Sequence, residues 1–136
     1  MKTRLIIATG LLFIGFVVHT LGGELTDLKS LVLTDMADNF KLEFRAVWYI
    51  VSIDFLFSGF IIVHILRKKI IKQNNLLVDF IGIRMLLYGL AFFLSILFVN
   101  YSLLFQVPQW ILLIVIGLLL EWGNLNRITC NKGRLN

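Results

Sequence analysis

Apolar residues fall into four runs, at about 4–21, 46–66, 79–99 and 107–122, divided by short polar segments. A helix needs about 20 apolar residues to cross a lipid bilayer, and each run reaches or approaches that length. The predicted fold is therefore all-α: a polytopic membrane protein built as an antiparallel bundle of four transmembrane helices. In the first run Ala8, Leu12, Gly15 and His19 recur at helical spacing, giving a face of small residues turned into the bundle. The residues that follow it, His19-Thr20-Leu21-Gly22-Gly23, lack a small-x-small cleavage pattern, so a retained helix is expected rather than a cleaved signal peptide.

Between the first two runs the pattern changes. Over 24–40, Leu25, Leu28, Val32 and Met36 alternate at helical spacing with Asp27, Ser30, Thr34 and Asp38. This predicts one amphipathic helix, too polar to span, lying flat at the outer interface as a lid or a packed connector. A polar turn through Lys72, Gln73, Asn74 and Asn75 joins the second and third spans, and Pro108 suits the first turn of the fourth. Gly82 and Gly89 on the third span match Ser52 and Gly59 on the second in spacing, so these two helices are expected to touch. The polar residues 123–136 read as a short cytoplasmic tail with some interfacial helix, and the whole chain as one membrane domain.

Composition and charge sharpen this reading. The 136 residues are 59% hydrophobic, above the roughly 45–50% of soluble domains. The net charge of +5 comes from clusters beside apolar runs rather than from one basic face, so no nucleic-acid partner is expected. Lys2, Arg4, Arg67, Lys68, Lys69, Lys72, Arg127, Lys132 and Arg134 collect on one side, against Lys29, Lys41 and Arg45 on the other. By the positive-inside rule both termini are cytoplasmic, and the protein is expected in the cell membrane as a multi-pass chain. Trp48, Tyr49, Tyr101 and Trp110 at outer ends and Trp122 at an inner end form the corresponding aromatic belts.

Charges inside the runs are the candidate chemistry. Asp54 lies deepest in the second span, with Ser58 one turn on as its expected partner. On the third span Arg84, Tyr88, Ala91 and Ser95 form a polar and small stripe expected to face inward, and on the fourth Trp110, Ile114, Gly117 and Glu121 share a face. Arg84 and Glu121, both toward the inner side, form the expected buried ion pair. His19 and His64 lie near opposite ends of their spans and cannot both ligate one haem, no metal-ligand spacing occurs, and the single cysteine, Cys130, excludes an intrachain disulfide. No cofactor and no metal are expected. An outer-surface enzyme would draw on His19, Glu43, Arg45, Asp54 and Tyr101, but no motif joins them. The Asn100-Tyr101-Ser102 sequon abuts a span and is read as a chance match. The leading expectation is a small integral membrane protein that acts by binding or assembly, as an accessory subunit or a homo-oligomer, with the lipid bilayer around it. The alternatives are a membrane-embedded enzyme with an outer-surface site, or a small transporter using Asp54.

Overall fold

The computed structural model describes residues 2–70, 75–105 and 108–132, with side chains described as far as Trp122. Lys72, Gln73, Asn74 and Arg134, to which the sequence reading gives turn and tail roles, lie outside the described residues. The elements are α1 (Lys2–Val17), a π-helical turn (Val18–Gly22), α2 (Gly23–Leu25), α3 (Asp27–Val32), α4 (Asp38–Lys68), α5 (Asn75–Val99), a 3-10 turn (Tyr101–Leu103) and α6 (Gln109–Lys132). All are helical. Three stretches, Lys2–Val32, Asp38–Lys68 and Asn75–Val99, are long and apolar enough to cross a membrane. The apolar part of the last helix, Gln109–Trp122, is shorter, about 21 Å at 1.5 Å per residue. Helix α6 does not stop there, and its backbone continues through residues expected to be tail.

The connection expected to be one amphipathic helix over 24–40 is divided in three. At Thr26 the backbone leaves helical geometry and α2 gives way to α3, although Thr26 N and the Thr26 hydroxyl both still donate to Gly22 O, at 3.0 and 2.7 Å. After Val32 the backbone tightens into three-residue steps, Leu33 N to Ser30 O at 3.1 Å and Thr34 N to Leu31 O at 3.2 Å, and the Thr34 hydroxyl caps Leu31 O. Helix α4 then starts at Asp38, an acidic first-turn residue that suits the helix dipole. It therefore runs for 31 residues, about 46 Å, well beyond the apolar run 46–66 within it. Of the amphipathic face only Leu28 is buried; Leu25, Val32 and Met36 are exposed.

The chain divides into two compact units, Met1–Ala8 with Ile62–Asn136, and Thr9–Ile61. In the first, α5 and α6 pack along Val78, Ile81, Gly82, Met85, Gly89 and Ile96 of one helix and Leu113, Ile116, Gly117 and Leu120 of the other. A Cβ on Gly117 would lie 2.9 Å from Gly82 O, and one on Gly89 would lie 3.1 Å from both Ile114 N and Trp110 O. These are backbone contacts that no side-chain movement relieves. Gly82 and Gly89 were expected to serve the second span; they face α6 instead, because the Trp110, Ile114, Gly117 and Glu121 face of α6 fits over them. At the top of this pair Asn100 Oδ1 accepts hydrogen bonds from Ser102 N (3.1 Å) and Ser102 Oγ (2.7 Å), and Trp110 Nε1 donates to Leu104 O (3.1 Å). The Arg4 guanidinium lies 5.5 Å over the Trp122 ring.

In the second unit α1 and α4 meet through Phe13 and Phe60, edge to face at 5.4 Å, and Gly59 makes room for the Phe13 ring. Leu12, Phe55, Ser52 and Ser58 are buried there, and the Ser58 hydroxyl donates to Asp54 O at 2.7 Å.

Overpacking a close helix contact typically costs about 1–3 kcal/mol. Gly117→Val should therefore lower the melting midpoint in mild detergent, read by circular dichroism. Gly10→Ala should not lower it, since a Cβ there meets nothing within 4 Å. Equal stability of the Gly117→Val protein and its parent would contradict the packing.

Candidate functional site

The densest group of polar side chains forms where α1 gives way to the π-helical turn. A π-helical turn loosens the usual ladder, and such turns recur at functional sites. Here His19 O takes the Gly23 N–H and, from α4, the Trp48 Nε1–H at 2.8 Å. The Trp48 indole lies directly on Gly23, where any Cβ would overlap it. Its face stacks on the His19 ring at 4.2 Å with the planes 13° apart, and Phe55 meets the same imidazole edge-on at 5.8 Å. One tryptophan thus grips the His19 backbone and its ring together.

The ring nitrogens are then distinguishable. Ser52 Oγ lies 3.1 Å from Trp48 O, one turn back on its own helix, and 2.9 Å from His19 Nδ1. With the hydroxyl hydrogen directed at the carbonyl, the network assigns the imidazole proton to Nδ1, which donates to Ser52 Oγ. Nε2 keeps its lone pair. A second group closes the same end: Glu24 accepts Arg45 Nη2–H on Oε2 at 2.7 Å and the Tyr49 hydroxyl on Oε1. Arg45, Trp48, Tyr49 and Ser52 follow one another at spacings of three, one and three, so they form a single stripe of α4.

Of the residues singled out from the sequence, His19 and Arg45 belong to this cluster. Glu43 is exposed and lies about 200° around α4 from Arg45, on the opposite side of the helix. Asp54 is half-buried and stands in the same relation to Ser52, so it points away from the imidazole. Tyr101 belongs to the other compact unit and is 77% exposed. Glu24, Trp48, Tyr49 and Ser52 carry the site beside them. Their signal in the sequence was the repeat 45, 48, 49, 52 facing an acidic residue just past a glycine pair. Among the described residues no group of three His, Cys, Asp or Glu side chains is arranged to hold a metal ion.

Arg84 and Glu121 lie together in the other unit, but on different sides of α5. Glu121 rests against Gly82, and Gly82 and Arg84 are about 200° apart around the helix. No ion pair among the described residues joins them. Glu121 Oε1 is buried without a hydrogen-bond partner among the described residues, and the Arg84 guanidinium lies 5.7 Å over the Phe80 ring. The stripe that Arg84 begins is not the packed face of α5: Tyr88, Ala91 and Ser95 are exposed, while the Gly82, Met85 and Gly89 face meets α6.

The cluster can hold the end of α1 against α4 and present one neutral imidazole nitrogen as an acceptor for a proton or a hydrogen-bond donor. It cannot work as a serine nucleophile with its base in this arrangement. Ser52 is 1% exposed and spends its hydrogen on a backbone carbonyl.

The fold and the cluster define an all-helical protein with three stretches long and apolar enough to cross a membrane and a histidine-centred polar group on the first. No protein-family model matches the chain, and no curated protein or solved structure matches it.

Removing the Trp48 indole should be the most damaging single change in the cluster, because it removes a hydrogen bond and a stacked aromatic contact together. Trp48 is half-buried, so Trp48→Ala should cost somewhat less than the roughly 3–5 kcal/mol of a fully buried large aromatic, and Trp48→Phe less again, since it keeps a ring. Denaturation in detergent reads both. A Trp48→Phe variant no more stable than Trp48→Ala would mean that the ring contact contributes nothing.

Proposed function

We propose that this is a small integral membrane protein that acts by binding and assembly, as an accessory subunit or a homo-oligomer. In this reading four helices span the cell membrane as an antiparallel bundle, both termini are cytoplasmic, and residues 24–40 lie at the outer surface. The observation that carries it is the α5 stripe. Tyr88 is 38% exposed and Ala91 and Ser95 are exposed beside half-buried Arg84, on a helix otherwise apolar enough to lie in lipid. The Ser95 hydroxyl is spent on Ala91 O at 2.8 Å, so the face draws a helix chiefly through its small residues, which allow close approach, and through the Tyr88 hydroxyl, which is costly to leave in hydrocarbon. A protein helix is the better cover for such a face.

Further contacts support the topology. Arg4 over Trp122 brings the start of α1 to the end of the apolar part of α6, as two cytoplasmic ends require. The enzyme alternative keeps one supporting observation, the open Nε2 of His19, but lacks a reachable nucleophile beside it. The transporter alternative keeps Asp54, half-buried in mid-helix on the side of α4 away from the imidazole.

The test uses Ser95→Cys in a Cys130→Ser background. Oxidative or bifunctional cross-linking in native membranes should join it to a second copy or to one stoichiometric partner. Leu90→Cys, exposed on another side of α5, should cross-link far less. Equal, weak cross-linking from both positions would overturn the assembly reading.

A further inference from the structure

The segment expected to be a flat amphipathic helix folds instead into a groove. Its walls are Leu28, Leu31 and Val32 of α3 and Lys41, Leu42 and Arg45 from the first two turns of α4, and its volume is about 200 Å³. Leu28 forms the buried floor. Whole small-molecule sites run from about 300 to 1,000 Å³, so this space suits a segment of flexible chain better than a compact ligand.

The polar atoms at the rim describe what would carry that chain. Lys41 Nζ stands 3.4 Å from Val32 O and 3.6 Å from Asp38 Oδ1, and the Asp38 side chain is fully exposed. With the Lys41 side chain 22% exposed and that of Asp38 in solvent, the pair is partly solvated, and at that distance it exchanges for a better one. A phosphate on Lys41 would leave Asp38 able to accept a cation. The surrounding segment holds Glu24, Asp27, Asp35, Asp38 and Glu43 against Lys29, Lys41 and Arg45, so a purely anionic headgroup meets net repulsion. A zwitterion with phosphate and ammonium a few atoms apart matches both signs. A primary ammonium fits better than a quaternary one, because it can donate hydrogen bonds to the Asp38 carboxylate and a quaternary ammonium has none to give.

We propose that the groove between α3 and α4 binds one acyl chain of an aminophospholipid, with its phosphate on Lys41 and its ammonium on Asp38. This rests on the membrane reading above. It adds a specific lipid site to it, at the end of a helix pair rather than along a span.

Native mass spectrometry of the full chain in mild detergent tests it, with phosphatidylethanolamine, phosphatidylcholine and phosphatidylglycerol offered in equal amounts. One phosphatidylethanolamine should be retained in preference to the others. Lys41→Gln should weaken retention of all three about three- to five-fold, the scale of an exposed charge contact. Asp38→Asn should abolish the preference for phosphatidylethanolamine while keeping phosphatidylglycerol, and Lys29→Gln, which does not line the groove, should change neither. Equal retention of the three lipids, a preference for phosphatidylglycerol, or Lys41→Gln and Asp38→Asn variants indistinguishable from the parent would overturn the site. Alkaline carbonate extraction separates the two readings. Release of the protein into the supernatant defeats the membrane reading and the lipid site together, whereas a membrane pellet with no lipid preference defeats the lipid site alone.

Discussion

Glycine at the points where large groups converge is the constraint on which both units depend. Helices α5 and α6 approach until Gly117 meets Gly82 O and Gly89 meets the backbone at Ile114, and at the other unit's polar end the Trp48 indole lies on Gly23. In hydrocarbon, apolar helices gain little by hiding apolar surface from apolar solvent, so close packing and hydrogen bonds must hold them. Each of these contacts supplies one or both. The α5–α6 approach multiplies dispersion contacts along two faces, and the Trp48 contact turns a loosened helical turn into an anchored one.

That anchoring gives the histidine a defined chemistry. Stacking fixes the plane of the ring, Ser52 fixes the proton on Nδ1, and the lone pair on Nε2 follows. Glu24 is satisfied by Arg45 and Tyr49 and ties the chain just past the glycine pair to α4. In the π-helical turn itself Thr20 Oγ1 is buried without a hydrogen-bond partner among the described residues.

Run length alone made the three long apolar helices legible, because segments of near-bilayer length admit little else. The inward face of α1 was legible too: Ala8, Leu12 and Gly15 are buried as their spacing implies. The connection was not, because it breaks through local backbone geometry, at Thr26 and in the three-residue steps after Val32, which a hydropathy period does not register. The choice of partner for Gly82 and Gly89 was also hidden, since small-residue spacing marks a face for close approach without saying which helix arrives. The same gap affected Arg84. The polarity of its stripe suggests an inward direction, whereas the packed face of α5 is the glycine and methionine face about a quarter turn or more away. In the cluster, His19 and Arg45 stood out as ionisable, while Trp48 and Tyr49 looked like interfacial belt residues and the π-helical turn left no trace in residue type.

The proposed setting, a bundle crossing the membrane with the His19 and Glu24 cluster at the outer side, is tested most directly by single-cysteine accessibility in a Cys130→Ser background. An impermeant maleimide applied to intact cells should label Lys29→Cys in α3, and should label Asn75→Cys at the start of α5 only after the membrane is permeabilised. Labelling of Asn75→Cys from outside, or protection of Lys29→Cys, would contradict it.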